Sequence, residues 1–519
     1  MRVHDYLDYH ARRAPQSDFA VDTQQTITYG EALERVHRLA NALIEMGLQT
    51  GDRIAFLSKN SADYPIVFLG CSKAGVVPVP LNYRLAGPEL AYIIGDAGAR
   101  LLVASAEYVD LLEEIRPELI TVERFVAIDA PAASGWENFR AMVAASSAAP
   151  PERDVDEEAD VYQMYTSGTT GRPKGAILTH RAVTSQMAQI ETVFPMTRGE
   201  RFLVVAPLYH AAAAATSFKA LSAGAAMVIH ADFHPGHVID ALSSQGITRV
   251  TLVPAMIQAC LLMVPDVAER DFGTLEVITY GASPIAEQVL RRAMEIFGCD
   301  FAQGYGMTET TAVLTYLEPS DHRRALAEKP ELLLSAGRPI PGTELRIVDD
   351  QDREVARGSI GEIAARGPQM MRGYWNLPEA SAETLRGGWL HTGDAGVMDE
   401  EGFVYLQDRL KDMIVSGGEN VYPREVENVL FEHPAVADAA VLGVPDEKWG
   451  EAVKAVVVLR AGLSVTADEL VEYCRGRLAG YKRPRSVDFV EALPRNPSGK
   501  VLKRELREKY WAGHSRRVS

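Results

Sequence analysis

Between Tyr165 and Gly175 the chain reads Tyr-Thr-Ser-Gly-Thr-Thr-Gly-Arg-Pro-Lys-Gly. Hydroxyls (Thr166, Ser167, Thr169, Thr170), glycines (Gly168, Gly171, Gly175) and one lysine, Lys174, crowd into this string. Glycines let backbone N–H groups come close to a phosphate, hydroxyls donate to its oxygens, and a lysine offsets its charge. The residue types therefore point to a polyphosphate grip. It is not a Walker loop, because counting on from Gly168 the position that needs the second glycine holds Pro173. A plain Gly/Ser turn is the competing reading, but a string this long is far more specific than a lone glycine motif.

Further strings follow in order. They are Ala206-Pro-Leu-Tyr-His210, Tyr280-Gly-Ala-Ser-Pro284, Gln303-Gly-Tyr-Gly-Met-Thr-Glu309, His391-Thr-Gly-Asp394, Asp408-Arg-Leu-Lys411 and Pro494–Lys500. Together with the phosphate loop, and over nearly the whole chain, they resemble the signature of the adenylate-forming superfamily. That superfamily includes acyl-CoA synthetases, adenylation domains of peptide synthetases and beetle luciferases. The resemblance implies a carboxylic acid activated by ATP to an acyl-adenylate, with pyrophosphate released and the acyl group then passed to a thiol. Bringing two anions together places most of the work on cations and a metal.

What the resemblance implies for single residues follows the motifs. Glu309 is the protein ligand of Mg2+, a hard ion that takes oxygen, and Thr308 contacts the α-phosphate. Tyr305 stacks on adenine with Gly281, Ala282 and Ser283 opposite; Gln303, Gly304, Gly306 and Met307 complete the nucleotide string. Asp394 accepts from the ribose hydroxyls, with Arg409 beside it. Lys500 bridges the substrate carboxylate and the α-phosphate. Lys411 is the hinge about which a C-terminal domain swings between an adenylating and a thioester-forming pose. Gly417 and Gly418 open a channel for pantetheine, and Trp449 lines it. Tyr481, Arg483 and Arg485 contact the CoA nucleotide, and His210 gates the path between pantetheine and acid.

Composition bounds the alternatives. The chain has 519 residues, 47% hydrophobic and 24% charged, as in ordinary globular proteins, with a net charge of -17. That charge argues against generic binding to nucleic acid or anionic membrane. From Arg475 onwards 13 Lys/Arg face 4 Asp/Glu, a basic segment suited to a polyanionic small ligand. Four scattered cysteines without a CxxC pair, and no apolar signal core, lead to the expectation of a cytoplasmic protein. The Walker, Gly-x-Ser-x-Gly and HExxH patterns of other enzyme classes are missing.

The elements that must position these residues are also legible. A capping box, Thr28-x-x-Glu31, opens a helix whose stripe is Leu33, Val36, Leu39, Ala40, Leu43 and Ile44, and Gly47 stops it. Strands are expected at 53–57, 101–104, 202–205, 226–229, 249–253 and 275–279. Helices start at Pro235 and run over 286–297. Such alternation means parallel sheets covered by helices. Residues 129–160, rich in Ala, Pro, Ser and acids, are expected to be a mostly solvated connection.

The expected fold is α/β. It has a large N-terminal domain (1–410) of two helix-covered sheets with a small β-barrel-like subdomain at about 314–410. A smaller mobile α+β C-terminal domain (411–519) follows. The expected substrates are ATP with Mg2+, CoA and a hydrophobic acid, first a medium- or long-chain fatty acid. Aryl, cinnamate-type, alicyclic or sterol-side-chain acids, or transfer to a carrier protein, are the alternatives. The absence of Asp and Glu between Tyr209 and Ile229 argues against an amino acid. No nucleic acid and no membrane segment is expected, and a homodimer is open.

Overall fold

The computed structural model describes residues 1–128, 135–166, 172–281, 285, 287–409, 412–416, 419–446, 448–475, 477–495 and 501–511, without the side chains of 408 and 409. Two large sheets dominate. One is wholly parallel, in the order Val77–Pro80, Arg53–Leu57, Leu101–Ser105, Arg124–Ile128 and Glu137–Asn138. The other has nine strands. Its parallel centre runs Asp300–Tyr305, Val277–Gly281, Arg249–Leu252, Arg201–Val204, Ala226–Ile229 and Asp18–Val21, with antiparallel strands at both edges. Both read in sequence as near-continuous apolar runs because both of their faces are covered.

The main core lies between these sheets. The helix Asp63–Ala74 is buried on nearly every side there, so it lacks the polar stripe of a surface helix. The helix Tyr29–Glu45 crosses it closely: a Cβ on Gly70 would stand 2.5 Å from Leu39 Cδ2. The capping box forms as expected, with Thr28 accepting from the Glu31 amide and Glu31 accepting from the Thr28 amide. The outer face of the nine-stranded sheet is covered by Pro235–Ser244, Pro254–Met263 and Glu287–Phe297.

The connection expected at 129–160 is mostly solvated in its described part, but it carries local structure and a few buried anchors. Trp136, Phe139 and Val143 are buried, and Glu137–Asn138 and Phe139–Ala145 form a strand and a helix. Arg38 and Asn41 donate to carbonyls of Ala144, Ser146, Ser147 and Ala149, stapling the segment to the capped helix. Alanines and serines hid these few apolar anchors from a pattern search.

A small antiparallel sheet follows: Glu344–Val348, Gly361–Arg366, Leu390–Met398 and Val404–Arg409. Thr315–Leu317 and Arg338–Pro339 instead extend the nine-stranded sheet, so the small sheet starts at Glu344. Beyond it, Glu419–Val421, Ile414–Ser416, Gly450–Leu459, Val436–Asp446 and Ser486–Phe489 form a sheet with its own core, flanked by Pro423–Phe431, Ala467–Tyr473 and Lys503–Trp511. Among the described residues, no helix is long and apolar enough to cross a membrane.

Candidate active site

The phosphate loop joins two antiparallel strands, Asp160–Thr166 and Lys174–Thr179, rather than opening a helix. A ligand at this hairpin would therefore lack the helix dipole that assists a Walker loop. Ser167, Gly168, Thr169, Thr170 and Gly171 lie outside the described residues, but the neck on either side is defined by the pair Thr166↔Lys174. A third strand, Gly373–Tyr374, adds to Lys174–Thr179. It delivers Tyr374, whose ring lies 5.0 Å from Lys174 Nζ.

Glu309 meets this neck from the nine-stranded sheet. The Tyr374 hydroxyl donates to Glu309 Oε1 at 2.7 Å, and Thr166 Oγ1 lies 3.5 Å from the same oxygen and from the Lys174 carbonyl. The carboxylate is nearly buried at 4% exposure and has no cationic side chain within ion-pair distance among the described residues. Its turn, Thr308–Thr310, is held under strain. Thr311 and Ala312 adopt φ of 62° and 130°, conformations that cost such residues roughly 1–3 kcal/mol each. Compensation comes from several clamps. The Gln186 amide donates to the Thr310 and Val313 carbonyls, Thr311 Oγ1 donates to the Gln369 carbonyl, and the Met371 amide donates to the Glu309 carbonyl. Gly306 is obligatory beside the turn, since a Cβ there would stand 2.1 Å from the Ala312 oxygen.

On the other side of the strand end, the Tyr305 hydroxyl donates to Asp394 Oδ2 at 2.8 Å. The roles expected of these two residues, a ring platform and a diol acceptor, are thus physically coupled. Asp394 pairs in register with Arg409, whose side chain lies outside the described residues. Gly281 and Gly304 are register partners, and a Cβ on Gly281 would meet the Gly304 oxygen at 2.4 Å. Gln303, Met307 and Thr308 are half-buried along the same strand end, while Ala282 and Ser283 are outside the described residues.

His210 caps the alanine helix Ala211–Ala223 and touches the Tyr209 ring at 4.6 Å. Burial, aided by Arg84, pushes its imidazole down to about 4, so it is neutral at physiological pH. Its Nε2 has no hydrogen-bond partner among the described residues. Lys500, Lys411, Gly417 and Gly418 lie outside the described residues; Arg495 and Val501 form an isolated antiparallel bridge. Trp449 is half-exposed with the Arg485 guanidinium 5.2 Å over its ring, which favours a surface contact over a core tryptophan. Tyr481 packs against the C-terminal core, and Arg483 Nε has no hydrogen-bond partner among the described residues. Trp449 and Arg485 are thus brought together in the C-terminal unit, where the Arg485 amide donates to the Val453 carbonyl.

Tyr374 and Gln186 are the site residues that sequence reasoning missed. Neither sits in a chemically suggestive string, and each reaches Glu309 or its turn only through tertiary pairing.

Comparison with known proteins shows the family of the chain. Residues 7–375 match the family described as AMP-binding enzyme, and residues 425–500 match the AMP-binding enzyme C-terminal domain. The chain is 39% identical to the fatty acid--[acyl-carrier-protein] ligase ScoC of Streptomyces coeruleorubidus, covering 98% of this chain and 97% of that one. It is likewise 39% identical to a feruloyl-CoA synthase of an Amycolatopsis species, covering 98% and 100%. The solved Mycobacterium tuberculosis fatty acyl CoA synthetase is 32% identical, with a TM-score of 0.78 over 99% of each chain. The chain belongs to the AMP-binding enzymes, the adenylate-forming superfamily, and is an AMP-forming ligase of the acyl/aryl-CoA ligase group.

Proposed function

We propose that the protein is an acid–CoA ligase for a hydrophobic carboxylic acid, built as an N-terminal domain to residue 410 and a mobile domain beyond the hinge at Lys411. The observation that carries this reading is the nearly buried Glu309 carboxylate held by Tyr374, with Thr166 beside it, at the neck of the phosphate hairpin. In the first step a carboxylate oxygen of the acid attacks the α-phosphorus of ATP, an anhydride bond forms and pyrophosphate leaves. Lys174 and the loop hydroxyls bind the departing phosphates, and Lys500 offsets charge between the two anions. Tyr305 and Asp394 hold the adenosine, the ring on one face and the carboxylate on the ribose.

Glu309 and Thr166 present oxygens, which fits a hard divalent cation. Among the described residues no further cluster of His, Cys, Asp or Glu is available, so such an ion would draw its other ligands from phosphate and water. Bound there, Mg2+ would neutralise phosphate charge. In the second step the thiol sulfur attacks the acyl carbon, the thioester bond forms and AMP leaves. Trp449, Tyr481, Arg483 and Arg485 serve the CoA nucleotide and pantetheine, and the neutral His210 lines the approach. The kinship to a carrier-protein ligase supports a second reading in which the acceptor thiol belongs to a carrier protein.

The test is to incubate the protein with ATP, Mg2+ and a panel of acids, with and without CoA, and follow products by mass spectrometry. Acyl-CoA with AMP is the expected outcome. Acyl-AMP that accumulates despite CoA would remove CoA as acceptor and favour the carrier.

A further inference from the structure

Resting on the ligase reading, the floor of the acid pocket can be located. Side chains alternate along a strand, so Val277, Thr279 and Gly281 share one face of the nine-stranded sheet, together with their register partners Asp300, Ala302 and Gly304. Val277, Ala302 and Tyr316 belong to the core between the two sheets, so this is the inner face. A middle strand facing such a core should be closed to solvent along its length. Instead Thr279, Gly281 and Gly304 keep partial exposure, and so does Gly306. A Cβ built on Gly304 would make only ordinary side-chain contact, 3.9 Å from Tyr316 Cδ2 and from Val313 Cγ2, rather than a tight backbone contact. The small residues thus floor a cleft that runs down from the Glu309 end of the strands. The alanine helix Ala211–Ala223 contributes to the same core.

The cleft stops one level lower. Ala302 is fully closed off, and Tyr316 is 5% exposed. Tyr316 pairs with Gly304 on the neighbouring strand, but its hydroxyl lies 3.4 Å from Thr279 Oγ1, two strands away. The ring therefore lies across the face above Ala302. Phe194 meets it edge-on at 6.4 Å, with Arg249 stacked 5.0 Å over Phe194. Beyond these rings a separate crevice of about 260 Å³ opens, lined by Tyr316, Phe194, Val277, Arg249, Glu276 and Asp300. It sits at the amino ends of the parallel strands, opposite the edge that carries Glu309.

We infer that Tyr316, latched to Thr279, is the floor of the acid pocket and restricts the enzyme to compact acids, a single ring or a short chain. The Tyr316 ring starts beside Gly304 and reaches Thr279, so the depth left below the Gly281–Gly304 level is at most two residues, roughly 7 Å at the rise of a strand. A benzene ring or a chain of a few carbons fits that depth and a long fatty chain does not. This departs from the medium- or long-chain acid that the run Ala211–Ala215 suggested in sequence. Removing the Tyr316 ring would join the cleft to the crevice behind it.

The experiment measures kcat/KM for acyl-CoA formation with phenylacetate, cinnamate, hexanoate, dodecanoate and hexadecanoate, in the wild type, Tyr316→Ala and Tyr316→Phe. Wild type should use the ring acids and hexanoate, and lose about tenfold or more for each methylene beyond the floor. Tyr316→Ala should raise dodecanoate by about tenfold or more without a matching gain for hexanoate. Tyr316→Phe keeps the ring and should keep the cut-off. Wild type that uses hexadecanoate as well as hexanoate, or a folded Tyr316→Ala with an unchanged length profile, would overturn the inference while leaving the ligase reading intact. Adenylation of no acid at all would defeat both. Should Tyr316→Ala fail to fold, the wild-type profile alone still decides.

Discussion

At the scale of single residues, the site depends on how one carboxylate is held. Glu309 accepts from Tyr374 at a distance typical of a charge-assisted bond. A hydrogen bond to a charged group is worth about 1.5–3 kcal/mol. Tyr374→Phe is therefore expected to slow acid-dependent pyrophosphate exchange into ATP by about ten- to hundredfold, with thermal stability little changed. Glu309→Gln keeps the shape and removes the charge, so it should abolish the exchange. An exchange rate equal to wild type in either variant would show that this carboxylate does not serve the phosphates. Glu309, Tyr305 and Asp394 are legible in the sequence because each sits in a motif string. The 2.8 Å contact between Tyr305 and Asp394 is not legible there, because the two are brought together by different sheets.

At the scale of elements, two glycines of one motif behave differently. Gly306 has no room for a Cβ, since the Ala312 carbonyl would be 2.1 Å away. Gly306→Ala must distort the strained turn, and a loss of about 1–3 kcal/mol in urea unfolding is expected together with the activity. Gly304→Ala, with its nearest atoms at 3.9 Å, should leave unfolding nearly unchanged and reduce activity by filling the cleft. Equal stability losses in the two variants would refute this distinction. The capping box at Thr28 is a local signal that held in full, and Thr28→Ala should cost about 1 kcal/mol. The strand Gly373–Tyr374, by contrast, escapes a pattern search because two residues carry no periodicity.

At the scale of the whole molecule, burial holds several histidines below their ordinary range. Burial lowers His4 to about 3 and His180, His210 and His322 to about 4, all from 6.5. A histidine whose pKa is depressed on folding binds its proton more readily when unfolded. Stability from these groups is therefore complete above about 6.5 and falls as pH drops towards 4, by up to about 1.4 kcal/mol per unit for each. His4 and His180 are neighbours, with ring centroids 5.7 Å apart; His4 Nδ1 lies 2.8 Å from Ser72 Oγ, and the Val3 amide donates to His180 Nδ1. Thermal melts across this window should show a falling midpoint, steeper than in a His4→Asn/His180→Asn variant. A flat profile would show that these imidazoles titrate normally.

Residue types and short spacings name the candidate groups for chemistry, and apolar periodicity gives the regular elements. Motif residues are chosen by what a phosphate, a ribose or a thiol requires, and those requirements are written in residue type and short spacing. The strands at 53–57 and 226–229 were likewise fixed by apolar runs between turn residues. Only the tertiary structure decided what depends on register across sheets. Tyr374 reaches Glu309, Gln186 clamps its turn, and Tyr316 crosses a strand to Thr279. Each partner lies far away in the chain, so no local pattern encodes the pairing. The expectation of a phosphate grip rests on the residues of one string, while the depth of the acid pocket depends on where one tyrosine from another strand comes to rest.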